Sequence, residues 1–66
     1  MFRKIKDERV KAGMTQEMLA DASGVSRTTI IGLENGKITR ARTESIRKIA
    51  HALGLTMDAL FSDDSV

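Results

Sequence analysis

The sequence predicts an all-α protein: one compact domain over residues 1–66, built as a bundle of five short helices. Two observations carry this. Apolar residues recur three and four positions apart along the chain, and no stretch alternates polar with apolar as a half-buried strand would. Residues that cap helices punctuate the same pattern, with Thr15 and Ser26 ahead of two helical stretches and Gly13, Gly24, Gly36 and Gly54 behind four of them. The helices are expected over residues 2–12, 15–22, 26–35, 43–53 and 57–61, with a frayed tail over 62–66.

The first helix places Phe2, Ile5, Arg9 and Ala12 on one face, with Val10 beside it. An arginine on an apolar face needs a partner if it is buried. Gly13 ends the helix and Met14 is expected to plug the core. The second helix buries Leu19 and Ala20, with Ala22 and Val25 closing below. Met18 is either a rim contact or an exposed apolar residue. In the third helix Ile30 and Leu33 face inward, which turns Arg27, Thr28, Ile31 and Asn35 to the other side. The fourth buries Ile46, Ile49, Ala50 and Leu53, leaving Arg47 and Lys48 outside. Thr56 caps the fifth, where Leu60 and Phe61 are expected to seal the core.

Residues 15–36 hold the pattern together. Helix, glycine turn and helix in that order form a helix-turn-helix, whose second helix can enter the DNA major groove. Ile31 is an odd choice for a purely solvated face, and it suits contact with a thymine methyl group. Gly32 inside a helix costs about 1 kcal/mol against alanine. It marks either a locally poor helix or a surface meant to lie close to something. The following loop, KITRAR over residues 37–42, is either a solubilising linker or a phosphate clamp beside that helix.

Composition limits the alternatives. A chain of 66 residues buries only about 60% of its unfolded surface and leaves no room for a regulatory domain. With no cysteine, neither a disulfide nor thiolate metal ligation is available. No run of about 18 apolar residues is present to span a membrane, and the N-terminus has no signal-peptide stretch, which points to a reducing cytoplasm. All 11 Lys and Arg lie between Arg3 and Lys48, against six acids there, a net +5. The rest of the chain carries Asp58, Asp63 and Asp64 and no base, a net −3. A basic body suits an anionic partner, although ordinary solvated charge would look similar.

Thr15, Gln16, Leu19, Ala20, Gly24, Val25, Ser26, Ile30, Leu33, Glu34 and Gly36, followed by Ile49-Ala50, Leu53-Gly54, Asp58 and Leu60, resemble the Cro/CI-type helix-turn-helix domain of the lambda-repressor-like (XRE) superfamily. The resemblance covers about residues 4 to 61. It implies the five-helix lambda-repressor-like bundle. It also implies that Arg27 and Thr28 reach base edges, with Ile31 and Gly32 one turn on. Gln16, Ser26, Asn35, Lys37, Thr39 and Arg42 would touch phosphates, and Arg9 and Glu34 would form an internal ion pair. Leu55 and Met57 would lie in a homodimer interface. The chain departs from the pattern in three places. Glu8 stands where many members have leucine, so Val10 is expected to supply that packing. Ala41 and Arg42 replace a proline and a capping serine before the fourth helix. Gly32 replaces a larger residue that often reads a base.

The expected function is therefore a sequence-specific double-stranded-DNA-binding regulator, cytoplasmic and bacterial or phage-encoded. Repression as a homodimer on a palindromic operator is the default. The alternative is a protein-interaction module of the same fold, an antitoxin or adaptor, using Met18, Ile31 or Met57 against a protein partner. An enzyme is disfavoured. The single histidine, His51, sits mid-helix between alanines, and there is no cysteine, no carboxylate pair at the spacing of a known mechanism and no phosphate-binding glycine loop, while Asp63 and Asp64 lie on the tail expected to fray. No cofactor and no metal site are expected.

Overall fold

Five α-helices, and no strand, make up the described part of the computed structural model, residues 2–61. They are α1 (Arg3–Lys11), α2 (Gln16–Ser23), α3 (Arg27–Asn35), α4 (Thr43–Ala52) and α5 (Met57–Phe61). The tail expected to fray, 62–66, lies outside the described residues.

The helix boundaries follow from side-chain chemistry. Thr15 is the N-cap of α2, its Oγ1 accepting from the Met18 N–H at 3.0 Å. Ser26 caps α3 in the same way, accepting from the Thr29 N–H at 3.2 Å. Each cap satisfies one of the amide donors a helix start leaves orphaned. Both helices therefore begin one residue later than expected, because the capping residue itself stays extended. Gly24 and Gly36 close α2 and α3 in the left-handed region, at φ 76 and φ 84, where a side chain would be strained. At α5 the Thr56 Oγ1 accepts from the Ala59 N–H at 3.3 Å. Two helices lack such help. The N-caps of α1 and α4 are Phe2 and Arg42, and neither makes a side-chain cap bond.

The core is aliphatic. Ile5, Leu19, Ile30, Leu33, Ile46, Ile49 and Leu60 are fully buried, so every helix contributes at least one residue. Burying a side chain of this kind contributes about 1.5–3 kcal/mol. Met14, Ala20, Ile38, Leu53, Leu55 and Met57 pack around this centre, half-buried.

Four packing expectations are corrected. Val10 does not compensate for Glu8: it is 59% exposed, one step round the helix from the Ile5–Arg9 stripe. Ala12 is exposed because it is the C-cap of α1, beyond the last helical residue. Ala22 is also exposed, since the inward stripe of α2 runs through Leu19, Ala20 and Ser23. Phe61 seals the core by one edge only. Its ring meets that of Phe2 at 5.5 Å and 62°, an edge-to-face pair, and 40% of the residue stays exposed.

Candidate nucleic-acid interface

The inner face of α3 is fixed from three sides. Ile30 and Leu33 enter the core and Gly32 is buried with them. At α3's end Glu34 receives Arg9 of α1 in a two-pronged ion pair, Nε to Oε2 at 2.7 Å and Nη2 to Oε1 at 3.1 Å. Arg9 also donates through Nη1 to the Met14 carbonyl at 2.7 Å. Gln16, the first residue of α2, donates its Nε2 to Glu34 Oε1 at 3.0 Å. The starts of α2 and ends of α1 and α3 are thus tied by one buried carboxylate. The side chains of Arg9 and Glu34 are only 11% and 4% exposed, so the expected partner for Arg9 is present.

That tie leaves the opposite face of α3 facing out. Arg27 and Thr28 are exposed, as is Asn35, and Ile31 between them is half-buried. The spacing 27, 31, 35 is one stripe of a helix. The nine-residue α3 has the roughly 10–12 Å diameter of any α-helix, which fits a major groove about 12 Å wide.

Gly32 does not belong to this stripe. It is buried beneath Ile38, and a Cβ built on it would lie 2.5 Å from both Cδ1 and Cγ1 of that residue. It therefore offers no surface to a base, and the expectation of a base contact there is corrected. The glycine is a packing notch. Its carbonyl also accepts the Ile38 N–H at 2.9 Å. The basic loop is thus seated on α3 by Ile38, while Lys37, Thr39, Arg40 and Arg42 are exposed around it.

The remaining expected phosphate contacts divide. Asn35 uses its Oδ1 to accept the Lys37 N–H at 2.9 Å, which shapes the turn and leaves its amide N–H₂ outward. Ser26 is exposed, but its Oγ is engaged with Thr29 as a cap and at 2.9 Å to Thr29 Oγ1. Gln16 is half-buried and keeps one amide hydrogen beyond its bond to Glu34. Beside these residues a shallow concavity of about 390 Å³ opens between α1, α2 and α3, lined by Lys6, Arg9, Gln16, Ile31, Glu34 and Asn35. Lys6 is the member that sequence reasoning missed. Its spacing of three from Arg9 was the available signal.

Leu55 and Met57 are half-buried against the core. Met18 stands out from α2, 48% exposed. Among the described residues no cluster of three or more His, Cys, Asp or Glu is arranged to hold a metal, and no helix is long and apolar enough to cross a membrane.

Fold and exposed stripe together define a helix-turn-helix protein. A family model described as helix-turn-helix matches residues 5–60. Relatives with similar sequences are named uncharacterized HTH-type transcriptional regulators. One, from Methanothermobacter thermautotrophicus, is 46% identical over 50 residues, 76% of this chain and 71% of the relative. Another, from Archaeoglobus fulgidus, is 41% identical over 64 residues, 97% of this chain and 90% of the relative. A second Archaeoglobus fulgidus protein is 39% identical over 64 residues, 97% of this chain and 89% of the relative. The chain belongs to this helix-turn-helix family, whose members are DNA-binding proteins and not enzymes. These relatives are archaeal, which extends the kinship beyond the bacterial and phage proteins of the sequence-based expectation.

Proposed function

We propose that this chain regulates transcription by binding a specific double-stranded DNA site, with α3 in the major groove. The reading is carried by the outward stripe Arg27, Thr28, Ile31 and Asn35, on a helix whose other face is locked into the core. Arginine can pair bidentately with guanine O6 and N7, threonine can bond either base type, and isoleucine offers an apolar contact to a thymine methyl. Gln16, Lys37, Thr39 and Arg42 serve as phosphate contacts that fix register. Ser26 is a cap first, and its part in the interface is to hold the start of α3.

The chain acts as a homodimer. One α3 reads only a few base pairs, whereas two copies on half-sites one helical turn apart supply a workable specificity. Leu55 and Met57 border the dimer surface, and Phe61 supports this, lying one turn from Met57 and 40% exposed. Repression follows as the simplest outcome, by occlusion of the polymerase on a palindromic operator.

Binding-site selection from a randomised duplex pool tests the proposal. Enrichment of a two-fold symmetric site with half-sites about 10 base pairs apart is the expected result. A pool with no enriched sequence overturns it. Sedimentation of the DNA-free protein, with and without Met57→Glu, tests the dimer surface separately.

A further inference from the structure

We propose that Lys6 is a phosphate-binding residue, reaching from α1 across the concavity to a backbone phosphate of the duplex that α3 reads. The inference rests on the DNA-binding reading above and adds a helix outside the helix-turn-helix to the interface.

Three observations carry it. First, the concavity joins three helices and shares Ile31 and Asn35 with the outward stripe of α3, so a duplex laid on that stripe covers it. Second, donors outnumber acceptors in its free hydrogen-bonding capacity. The sole acid lining it, Glu34, already accepts three N–H groups, two from Arg9 and one from Gln16. What remains is chiefly donors, the second Gln16 amide hydrogen, the Asn35 amide and the Lys6 ammonium, against one unengaged side-chain oxygen, Gln16 Oε1. With Arg9 and Glu34 cancelling, Lys6 leaves the concavity a net +1. Such a cluster fits the two unbridged oxygens of a phosphodiester, which only accept. Third, Lys6 is exposed and makes no ion pair among the described residues, whereas Lys11 on the same helix is engaged by Glu8 at 3.4 Å. The first turn of α1 also carries Arg3 and Lys4 and no acid. That arrangement opposes the helix dipole and leaves this end of α1 cationic toward an approaching polyanion.

The test is a salt series of fluorescence anisotropy with a labelled duplex and four proteins: the natural chain, Lys6→Gln, Lys6→Arg and Lys11→Gln. Lys6→Gln is expected to lose several-fold in affinity at low salt, and its slope of log K against log salt to become shallower by about 0.9, one phosphate's worth. Lys6→Arg restores the slope and Lys11→Gln leaves it unchanged. Thermal midpoints that match across the set exclude a folding cause. Equal slopes for Lys6→Gln and the natural chain overturn the assignment while leaving DNA binding in place, as does an equal loss in Lys11→Gln. Failure of the natural chain to bind duplex overturns both readings. Titration with inorganic phosphate followed by NMR separates a free anion from the duplex. Saturable shifts at Lys6, Gln16 and Asn35, with duplex slopes unaffected by Lys6→Gln, overturn the duplex assignment.

Discussion

Gly32 and Ile38 are joined twice. The Gly32 carbonyl accepts the Ile38 N–H, and the Ile38 side chain occupies the space where a Gly32 side chain would begin. A residue that weakens its helix locally is thus required by a loop six positions on. The consequence is functional geometry, because Ile38 is the apolar anchor of the loop carrying Lys37, Arg40 and Arg42.

Gly32→Ala is therefore predicted to change sign with its partner. Alone, alanine gains about 1 kcal/mol of helix propensity but forces Ile38, stiff at its branched Cβ, out of its seat. Overpacking of this kind costs about 1–3 kcal/mol, so the single variant is neutral to destabilised by about 2 kcal/mol. In an Ile38→Ala background the two 2.5 Å overlaps are gone and only a 3.3 Å contact to the Cβ of residue 38 remains, so the same substitution stabilises by up to about 1 kcal/mol. Urea unfolding of the four proteins of this cycle measures the coupling. Additive effects would mean that the two residues do not share the space.

Arg9 and Glu34 are predicted to be worth far more singly than together. Removing one partner of a buried pair leaves an uncompensated charge, at a cost of about 3–5 kcal/mol. That is a large part of the roughly 5–15 kcal/mol by which small domains are stable, so Arg9→Met or Glu34→Leu alone is expected to lower the melting midpoint severely or unfold the chain. The double variant should recover much of the loss by replacing both charges with apolar groups. It also strands the Gln16 amide and the Met14 carbonyl, so recovery stays incomplete. Calorimetry on the three variants decides, and a double variant as unstable as the sum of the singles would contradict this account.

What the sequence revealed, and what it hid, divides by distance along the chain. The caps at Thr15 and Ser26, the left-handed glycines and the inward rows of α3 and α4 are consequences of neighbours within four residues, and they were legible. So was the outward stripe of α3, which is simply what remains when Ile30 and Leu33 point in. The Arg9–Glu34 pair spans 25 residues, and only a family resemblance pointed to it. The Gln16 bond to the same carboxylate had no local signature at all. Gly32 was misassigned because helical periodicity shows which face a residue is on, but not what a later loop lays over it. Val10 failed for a related reason. It neighbours the apolar face in sequence, yet one helical step of about 100° is enough to turn it into solvent.

Arg27→Ala is predicted to relax specificity more than it weakens binding to arbitrary duplex. A bidentate arginine–guanine pair discriminates by about 1–3 kcal/mol at its own base pair, and Arg27 is exposed at the first position of α3. The check is to repeat the site selection with the variant. One position of each half-site should become degenerate, with the others and the salt slope nearly unchanged. Uniform loss across all positions would place Arg27 on the backbone instead.

Arg42→Ser is predicted to move stability and binding in opposite directions. Arg42 holds the N-cap position of α4 in the extended conformation a cap needs, φ −64 and ψ 141, yet makes no side-chain cap bond. A serine there can accept an orphaned amide of the first turn, a gain of about 1 kcal/mol. The same change removes an exposed cation from the loop beside α3, so the salt slope of duplex binding should become shallower by about 0.9. Thermal melting should rise by roughly 4–8 °C for a domain of this size, while affinity at low salt falls for every sequence alike. Arg42→Ala separates the two effects, since it loses the cation without gaining the cap. If Arg42→Ser raised the midpoint and left the slope untouched, Arg42 would have no part in holding DNA. If it lowered the slope without raising the midpoint, the start of α4 would be satisfied by some other group.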